Sequence, residues 1–477
     1  SSTPTGRAGV CLVTRGPGAT HASVGVHSAA QNSAPLVLLI GQVPRSELGR
    51  DSFQEVDYHS FFGGMAKLVL EVMDPARLPE ALARAFGAAV SGRPGPVVIS
   101  LPEDVLTEAA AVADAPPAAF AEPAPTDSEV AGLLEMLGEA SRPLVVAGGS
   151  GWDEAASSRL QAWAEASALP VAAAFRQNDV LDNRSPAFVG GLGLAMRPSL
   201  AKLVADADLV LALGTRLDAM TTGHRALLEV PVPRQRLIHV HPSGSELGRV
   251  YQPALAIESG VGPLLERLEA LDGSGWAAWS AAARADQVAD VAPPPQPGGV
   301  NLGEVLVELR RQLPDEAVLA NGAGNFTGWI QRHFEFRRPR TQLAPQSGAM
   351  GYGLPAALAA AATGRQVCCV AGDGDFLMYG QELATAVQEE LRVLVVVVDN
   401  GRYGTIRMHQ DRDHPGRHIA TDLRNPSFAE WARVFGLWSA TVERTEEFAA
   451  ALKGALAAPG SALIHLKVSP EAVSARS

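Results

Sequence analysis

Two short apolar runs late in the chain constrain its fold more than any other feature. The first, Val367–Ala371, ends at a Gly-Asp-Gly turn around Asp373, as a buried parallel strand does. A helical pattern follows over Glu382–Glu390, and the β-branched run Val393–Val398 predicts a second buried strand, which ends beside Asn400. Strand, helix and strand form a βαβ unit whose strands point the same way. Asp373 and Asn400 are therefore expected at the same carboxyl edge of a sheet, where open α/β sheets bind ligands.

The side chains expected at this edge suit a hard cation. Asp373 offers a carboxylate and Asn400 an amide oxygen, and Mg²⁺ takes oxygen ligands that substrate phosphates and water complete. Gly372 and Gly374 let backbone N–H groups approach a phosphate, and the N-terminus of the following helix favours an anion. The local prediction is a diphosphate held through a divalent metal. The alternative is that Gly-Asp-Gly is only a turn.

The whole stretch resembles the thiamine diphosphate (ThDP) motif, in which Gly-Asp-Gly, a gap that ends in Asn and a Tyr-Gly-Thr-Ile tail follow one another. More narrowly, the chain resembles the acetolactate synthase, benzoylformate decarboxylase and benzaldehyde lyase group. In that family the Asp, the Asn and the main-chain carbonyl two residues beyond the Asn bind Mg²⁺. The resemblance therefore implies Asp373, Asn400 and Arg402 as metal ligands. It also implies cofactor contacts from Gly372, Gly374, Asp375, Tyr403, Gly404, Thr405 and Ile406.

The length of the chain, 477 residues, is too great for one core and suggests about three domains. Two stretches rich in alanine and proline, 109–125 and 291–299, are predicted to be linkers. They leave an incomplete first domain at 1–108, a central domain at 126–285 and a third domain at 300–477. All three alternate short apolar runs with helical patterns, which predicts α/β domains with mainly parallel sheets flanked by helices.

Charge and cysteine content limit the partners and the compartment. The net charge is −12 and no basic cluster is present, so we expect no nucleic acid or anionic membrane partner. No apolar run approaches the roughly 18 residues that a membrane span needs. The three cysteines, Cys11, Cys368 and Cys369, give no indication of an oxidising compartment. We therefore expect a cytoplasmic protein that acts on a small molecule.

The first segment resembles the pyrimidine-binding domain of the same family. Arg15–Thr20 matches its Gly-Pro-Gly-Ala-Thr run, and the family's Phe-Gln-Glu-x-Asp element implies that Phe53 and Gln54 line the active site. In the family a Glu from this domain hydrogen-bonds the cofactor's pyrimidine, and it belongs to a strand and helix that precede Gly9–Thr14. Ser1–Gly6 contains no carboxylate, so we expect this Glu to lie upstream of the first residue.

The third segment also carries a glycine-rich element around Met350. In the family the equivalent Met is a wedge beneath the cofactor, and the Gly two residues earlier, here Gly348, accepts a hydrogen bond from the cofactor's amino group. The alternative is that Met350 only fills a gap in the core. Gly324 and Asn325 stand where relatives contact the diphosphate.

The central segment opens with a strand that runs into a glycine-rich turn around Gly149 but lacks G-x-G-x-x-G. Some relatives hold FAD or ADP in this domain, which the resemblance allows here through Gly149, Gly214–Asp218 and His239–Pro242. FAD-binding relatives usually carry an Asp where this chain has His241, and this difference weakens the case for FAD.

The resemblance implies a ThDP-dependent carboligase or decarboxylase of 2-oxo acids, most like acetolactate synthase, which converts pyruvate to acetolactate and CO₂. It also implies a homodimer or a dimer of dimers. His409 stands where biosynthetic synthases have a Trp, which keeps benzoylformate decarboxylase or benzaldehyde lyase activity open. Arg407 and His409 could pair with a substrate carboxylate or belong to a solvated loop. A catalytically silent cofactor-binding homologue is the third alternative.

Overall fold

The structure is a computed structural model that describes residues 5–116 and 120–475. The chain divides into two compact units, one of Ser1–Ala124 with Pro242–Gly244 and the other of Pro125–His241 with Ser245–Ser477. The described residues form three sheets, and all strand pairs within these sheets are parallel. The predicted class, three α/β domains with parallel sheets flanked by helices, is confirmed.

The first unit contains a four-stranded sheet with the strand order β1-β2-β4-β3. Its strands are β1 (Gly9–Val13), β2 (Leu36–Gln42), β3 (Leu68–Glu71) and β4 (Pro96–Pro102). Its helices are Pro17–Gln31, Tyr58–Phe62, Leu78–Val90 and Glu103–Thr107. The β4 strand is buried throughout, because it lies inside the sheet with apolar side chains on both faces.

The second unit contains two six-stranded sheets, of which the central one has the order β10-β9-β8-β5-β6-β7. Its strands are β5 (Pro143–Ala147), β6 (Val171–Ala173), β7 (Phe188–Gly191), β8 (Leu209–Leu213), β9 (Arg236–His241) and β10 (Leu255–Glu258). Its helices are Asp127–Gly138, Glu154–Ala166, Pro198–Asp206, Val261–Leu265 and Ala277–Val291. Thr126 and Glu129 form a capping box that fixes the start of the first of these helices.

The third sheet has the order β12-β11-β13-β14-β16-β15. Its strands are β11 (Val318–Asn321), β12 (Gln342–Leu343), β13 (Val367–Gly372), β14 (Val393–Asp399), β15 (Trp438–Val442) and β16 (Ala462–Lys467). Its helices are Leu302–Gln312, Thr327–His333, Gly353–Ala361, Asp373–Tyr379, Leu383–Gln388, Gly404–Asp413, Phe428–Val434 and Thr445–Ala457. The β-branched β14 is buried along its whole length, with one apolar cluster on each face of the sheet.

The predicted strands of the βαβ unit are confirmed, but the connection between them differs from the prediction. The Gly-Asp-Gly segment leads directly into the helix Asp373–Tyr379, and the predicted helix is shorter, at Leu383–Gln388. Gly372 has an extended backbone and caps the new helix, so the chain turns without a separate loop. The sequence pattern missed this helix because its seven residues are too few to show a helical period.

The two predicted linkers have different structures. The described parts of the first, 109–116 and 120–125, have no regular structure, and 109–116 is exposed throughout. The second, 291–299, follows the helix Ala277–Val291, which continues past the predicted domain end at residue 285. The boundaries at 108, 126, 285 and 300 remain predictions. Among the described helices, none has the length and apolar character that crossing a membrane requires.

Candidate functional site

A cavity of about 270 Å³ opens at the carboxyl edge of the third sheet. It lies where the strand order reverses around β11 and β13, which is the expected ligand position in an open α/β sheet. All the metal and cofactor residues that the sequence predicted in the third segment line it: Asn325, Gly348, Met350, Gly372, Asp373, Gly374, Asp375, Asn400, Arg402, Tyr403, Gly404, Thr405 and Ile406. Segments 296–302 and 468–472 contribute further lining residues that the sequence analysis missed.

Asp373 and Asn400 directly follow the neighbouring strands β13 and β14, as the βαβ prediction required. In the ladder between β13 and β14, Gly372 is opposite Val398, which places the two side chains at the same edge. The buried Asp373 carboxylate accepts hydrogen bonds from the backbone N–H groups of Gly374 and Gly401, each at 2.9 Å. Asn400 Oδ1 accepts one from the Arg402 N–H at 3.1 Å. The predicted metal ligands therefore lie at the start of the helix that follows β13 and in the loop that follows β14.

Asp375 ties three lining segments together. Its Oδ1 accepts hydrogen bonds from the N–H of Gly351 at 2.6 Å and from that of Ala323 at 3.3 Å. Gly322 lies against the carboxylate, where any side chain would collide with it. Burial raises the pKa of Asp375 to about 6, and its Oδ2 is buried without a hydrogen-bond partner. A buried oxygen without a donor is costly, so it favours a ligand or water on that side.

A second buried carboxylate, Asp399, lies beside Asp373 in a different environment. Its Oδ2 accepts hydrogen bonds from His465 Nε2 at 2.8 Å and Lys467 Nζ at 2.6 Å. Although burial opposes the charged form, these donors hold the pKa of Asp399 well below its ordinary value. Burial raises the pKa of Asp373 to about 6, with a further contribution from the charge of Asp399. His465 and the Lys467 cation therefore compensate Asp399, whereas the donors to Asp373 are the uncharged N–H groups of Gly374, Gly401 and Asn425.

The glycine-rich loop around Met350 has the backbone that its sequence suggested. Gly348 and Gly351 have positive φ values of 71° and 82°, which favour glycine. Met350 is half-buried and lines the cavity, so it is not a core residue. Asn325 joins two distant segments, because its Oδ1 accepts a hydrogen bond from Thr405 and its Nδ2 donates to the Val473 carbonyl.

Arg407 and His409 do not lie in a loop. Both belong to the helix Gly404–Asp413, and Arg407 pairs with Asp422 at 3.0 Å and with Asp411 at 3.4 Å. Of the solvated-loop alternative, the loop is therefore wrong, because both residues are helical, and Arg407 already pairs with carboxylates of this chain. His409 is exposed.

Phe53 and Gln54 belong to the first unit, and their role in the active site remains a prediction. The Phe53 side chain is 81% exposed, which is unusual for a large apolar residue. Gln54 adopts a positive φ of 66° and packs against Gly16, where a side chain on Gly16 would collide with it. The Gly16 N–H donates to the Tyr58 hydroxyl at 3.0 Å. The two predicted motifs of this unit, Arg15–Thr20 and the Phe-Gln element, therefore contact each other.

Sequence reasoning missed the polar residues behind the metal loop. Asn425, His465 and Lys467 all contact Asp399. The alternation of His465 and Lys467 on one strand was a usable signal, because residues two apart on a strand share a face. Asn425 lies in an irregular segment and offered no comparable pattern.

Three sequence families match the chain in order. They are described as thiamine pyrophosphate enzyme, N-terminal TPP binding domain, over residues 2–61; central domain, over 130–268; and C-terminal TPP binding domain, over 322–466. The third match contains the Gly-Asp-Gly element and the β13–β14 edge of the cavity.

Characterised relatives align with nearly the whole chain. The acetolactate synthase large subunit of Parasynechococcus marenigrum (strain WH8102) is 34% identical over 97% of this chain and 77% of the relative. The isozyme 1 large subunit of Escherichia coli (strain K12) is 32% identical over 98% of this chain and 84% of the relative. The isozyme 2 large subunit of the same organism is 30% identical over 97% and 85%. With three domain matches in order and these relatives, the chain belongs to the thiamine pyrophosphate enzyme family.

Proposed function

We propose that this protein is a ThDP- and Mg²⁺-dependent enzyme of the acetolactate synthase type, which converts pyruvate to acetolactate and CO₂. The observation that carries the proposal is the single cavity lined by all the predicted metal and cofactor residues of the third domain. The similar proteins are themselves acetolactate synthase large subunits, which supports the same substrate class of 2-oxo acids.

The donor set around Asp373 fits Mg²⁺. It offers one carboxylate, the Asn400 amide and the Arg402 carbonyl, and Mg²⁺ accepts such oxygens together with phosphate and water. Within the ranges that the structure describes, no group of three or more His, Cys, Asp or Glu side chains could hold a metal ion. A site completed by the cofactor's own phosphates therefore suits this edge better than an all-protein cage.

Gly372 and Gly374 line the cavity where the diphosphate is proposed to bind, and backbone N–H groups of glycine turns can approach a phosphate. A side chain at Gly374 would come within 2.6 Å of the Tyr403 ring, so only glycine fits beside this ring. Bound ThDP would supply the electron sink for decarboxylation of a 2-oxo acid. In the proposed complex, Asp373, Asn400 and Arg402 hold the metal, Asn325 and Gly374 lie along the diphosphate, and Met350 and Gly348 support the ring system. Phe53 and Gln54 are proposed to face the substrate from the first domain of a second copy of the chain.

We also propose a homodimer or a dimer of dimers. In this family the first domain of one subunit faces the third domain of its partner, so that a two-fold axis generates two equivalent sites. Apolar side chains near the motifs support an interface, since Phe53, Leu377, Met378 and Ile406 are exposed by 37% to 81%. An obligate interface of this kind buries more than roughly 2,000 Å².

The free cysteines are consistent with the proposed cytoplasmic location.

Asp373→Ala is expected to abolish retention of ThDP in the presence of Mg²⁺, because the metal loses its acidic protein ligand. Isothermal calorimetry with ThDP and Mg²⁺ measures the effect. Asp422→Ala is the matched control, since Asp422 is exposed and pairs with Arg407 outside the proposed ligand set. Wild-type affinity in Asp373→Ala would contradict the proposed metal site.

Incubation with pyruvate is expected to give acetolactate and CO₂, because the proposed enzyme both decarboxylates and transfers the product to a second 2-oxo acid. Acetolactate can be measured after conversion to acetoin. Turnover of benzoylformate is measured in a separate reaction for comparison. Rapid turnover of benzoylformate without acetolactate formation would favour the aryl alternative, which the exposed His409 keeps open. Binding of ThDP without turnover of either substrate would favour the silent homologue.

Sedimentation of full-length protein at micromolar concentration is expected to show a dimer or a tetramer. The physical reason is that one cofactor must contact motifs carried by two subunits. Dilution should dissociate the oligomer and lower its activity. Bound ThDP should oppose this dissociation. A monomer that turns over substrate would exclude the shared site.

A further inference from the structure

The central sheet has the strand order of a dinucleotide-binding fold. Counted from its first strand, β5, the order is 6-5-4-1-2-3, so the direction of winding reverses between β5 and β8. In sheets of this order the ligand binds in the crevice outside the carboxyl ends of these two strands, with its phosphates on the first glycine turn. Here that crevice is bounded by the turns around Gly149 and Gly214, the positions that would contact FAD or ADP.

The side chain of Gln177 occupies the glycine turn. Gln177 follows β6, on the other side of β5, and its Oε1 accepts a hydrogen bond from the N–H of Gly149. Its Nε2 donates to the Gly149 carbonyl at 2.8 Å. A phosphate bound to this turn would need the same N–H group. The Gln177 amide therefore satisfies both polar groups of the residue on which a phosphate would rest.

The two turns also close on each other. Gly149 and Gly214 have positive φ values of 86° and 74°, and a side chain on Gly149 would collide with the Gly214 carbonyl. The Gly148 carbonyl accepts a hydrogen bond from the buried Trp152 indole at 2.9 Å, and the Gly214 N–H donates to the Val240 carbonyl at 2.9 Å. The backbone groups that border the crevice are thus paired within the protein.

The helix after the turn is capped by a carboxylate. Asp153 accepts a hydrogen bond from the N–H of Ala156 at 2.8 Å, at the start of the helix Glu154–Ala166. This is the helix end on which a dinucleotide pyrophosphate would sit. A carboxylate in that position repels a second anion and already satisfies the helix end.

We infer that the central domain binds neither FAD nor ADP, and that the Gln177 amide holds the glycine turn in place of a nucleotide phosphate. The residues around Gly149 therefore do not fit the flavin that the family resemblance allowed. The inference is independent of the proposed function, because the ThDP cavity lies at the edge of a different sheet. Gln177 acts as a structural ligand that stabilises the central sheet in the absence of nucleotide.

The test uses full-length protein, and its measurements do not depend on bound ThDP. Wild-type protein is expected to purify without flavin and to bind neither FAD nor ADP in equilibrium dialysis. Gln177→Ala is expected to melt several degrees lower, because both polar groups of Gly149 lose their partner. Gln177→Glu keeps the acceptor and loses the donor, so its melting temperature should lie between those of wild type and Gln177→Ala.

Gln161→Ala is the matched control, since the half-buried Gln161 donates to the exposed Glu165 and does not contact the glycine turn in the bonds described, so its melting temperature should stay close to that of wild type. One equivalent of FAD or ADP in wild-type protein would overturn the inference. Equal melting temperatures of Gln177→Ala and Gln161→Ala would overturn the role of Gln177.

A second, independent observation concerns Asn425. Its Nδ2 donates to Asp373 Oδ2 and to Asp399 Oδ1, both at 2.7 Å. The N–H of Gly401 donates to the same two oxygens, at 2.9 and 3.0 Å. Two donors therefore bridge two buried carboxylates that would otherwise repel each other.

The segment that carries Asn425 is fastened to the metal loop. The N–H of Tyr403 donates to the Thr421 carbonyl, and the N–H of Leu423 donates to the Gly401 carbonyl, both at 2.8 Å. His465 and Lys467 hold the far oxygen of Asp399. Asp399 is thus a fixed anchor, and Asn425 transmits that position to Asp373.

The geometry points to Asn425 as a positioning residue for the Asp373 carboxylate. The assignment rests on the proposed Mg²⁺ site and deepens it. Residues that orient a metal ligand without touching the metal change its affinity by about 10- to 100-fold when removed. Asn425 holds one oxygen of Asp373 and leaves its other oxygen, Oδ1, bonded only to the backbone of Gly374 among the contacts described.

The test measures the Mg²⁺ dependence of ThDP binding by calorimetry. Asn425→Ala is expected to raise the Mg²⁺ midpoint by about 10- to 100-fold, with ThDP binding restored at high Mg²⁺. Asn183→Ala is the matched control, because this buried amide stabilises the central domain through the Asn178 and Leu181 carbonyls. The control should lower the melting temperature without moving the midpoint.

A wild-type midpoint in Asn425→Ala would overturn the assignment. Failure of the proposed function is a separate result, since wild-type protein would then bind no ThDP at any Mg²⁺ concentration.

Discussion

The cavity of this protein depends on the buried carboxylate of Asp375. It accepts hydrogen bonds from Gly351 and Ala323, which belong to two loops that are distant in sequence, and it lies on the helix that follows β13. Burial of a charge is costly, as its pKa of about 6 records, and nearby Arg176 offsets part of that cost. This carboxylate therefore joins both loops to the helix at the sheet edge.

The pKa values of two carboxylates beside the cavity are shifted in opposite directions. Asp399 is compensated by His465 and Lys467 and keeps its charge, while burial raises the pKa of Asp373 to about 6. Groups that differ in this way often divide the work of a site. Here the compensated carboxylate serves as an anchor, and the other remains available for a cation at neutral pH. Protons compete for Asp373 below about pH 6, so cation binding should weaken there.

The central and third sheets are both parallel and six-stranded, but they differ at the edge where the strand order reverses. The third sheet leaves a cavity where its strand order reverses, whereas the central sheet closes the corresponding crevice with Gln177 and with contact between the two glycine turns. Both edges carry glycines, so glycine content alone does not make a ligand site. The fold supplies the edge, and individual side chains decide whether the edge is open.

The sequence by itself determined the fold class and the strands that bring Asp373 and Asn400 to one edge. These follow from local rules, because apolar runs define buried parallel strands and parallel strands bring their ends to one edge. The other predicted cavity residues followed from the resemblance to the ThDP family, and the lining residues of segments 296–302 and 468–472 were missed. The short helix Asp373–Tyr379 was not predicted, because it has too few residues to show a helical period in the sequence. The tertiary structure alone decided which polar groups meet. Asn425 reaches Asp373 across 52 positions and Gln177 reaches Gly149 across 28, and no local pattern records contacts that depend on how loops pack.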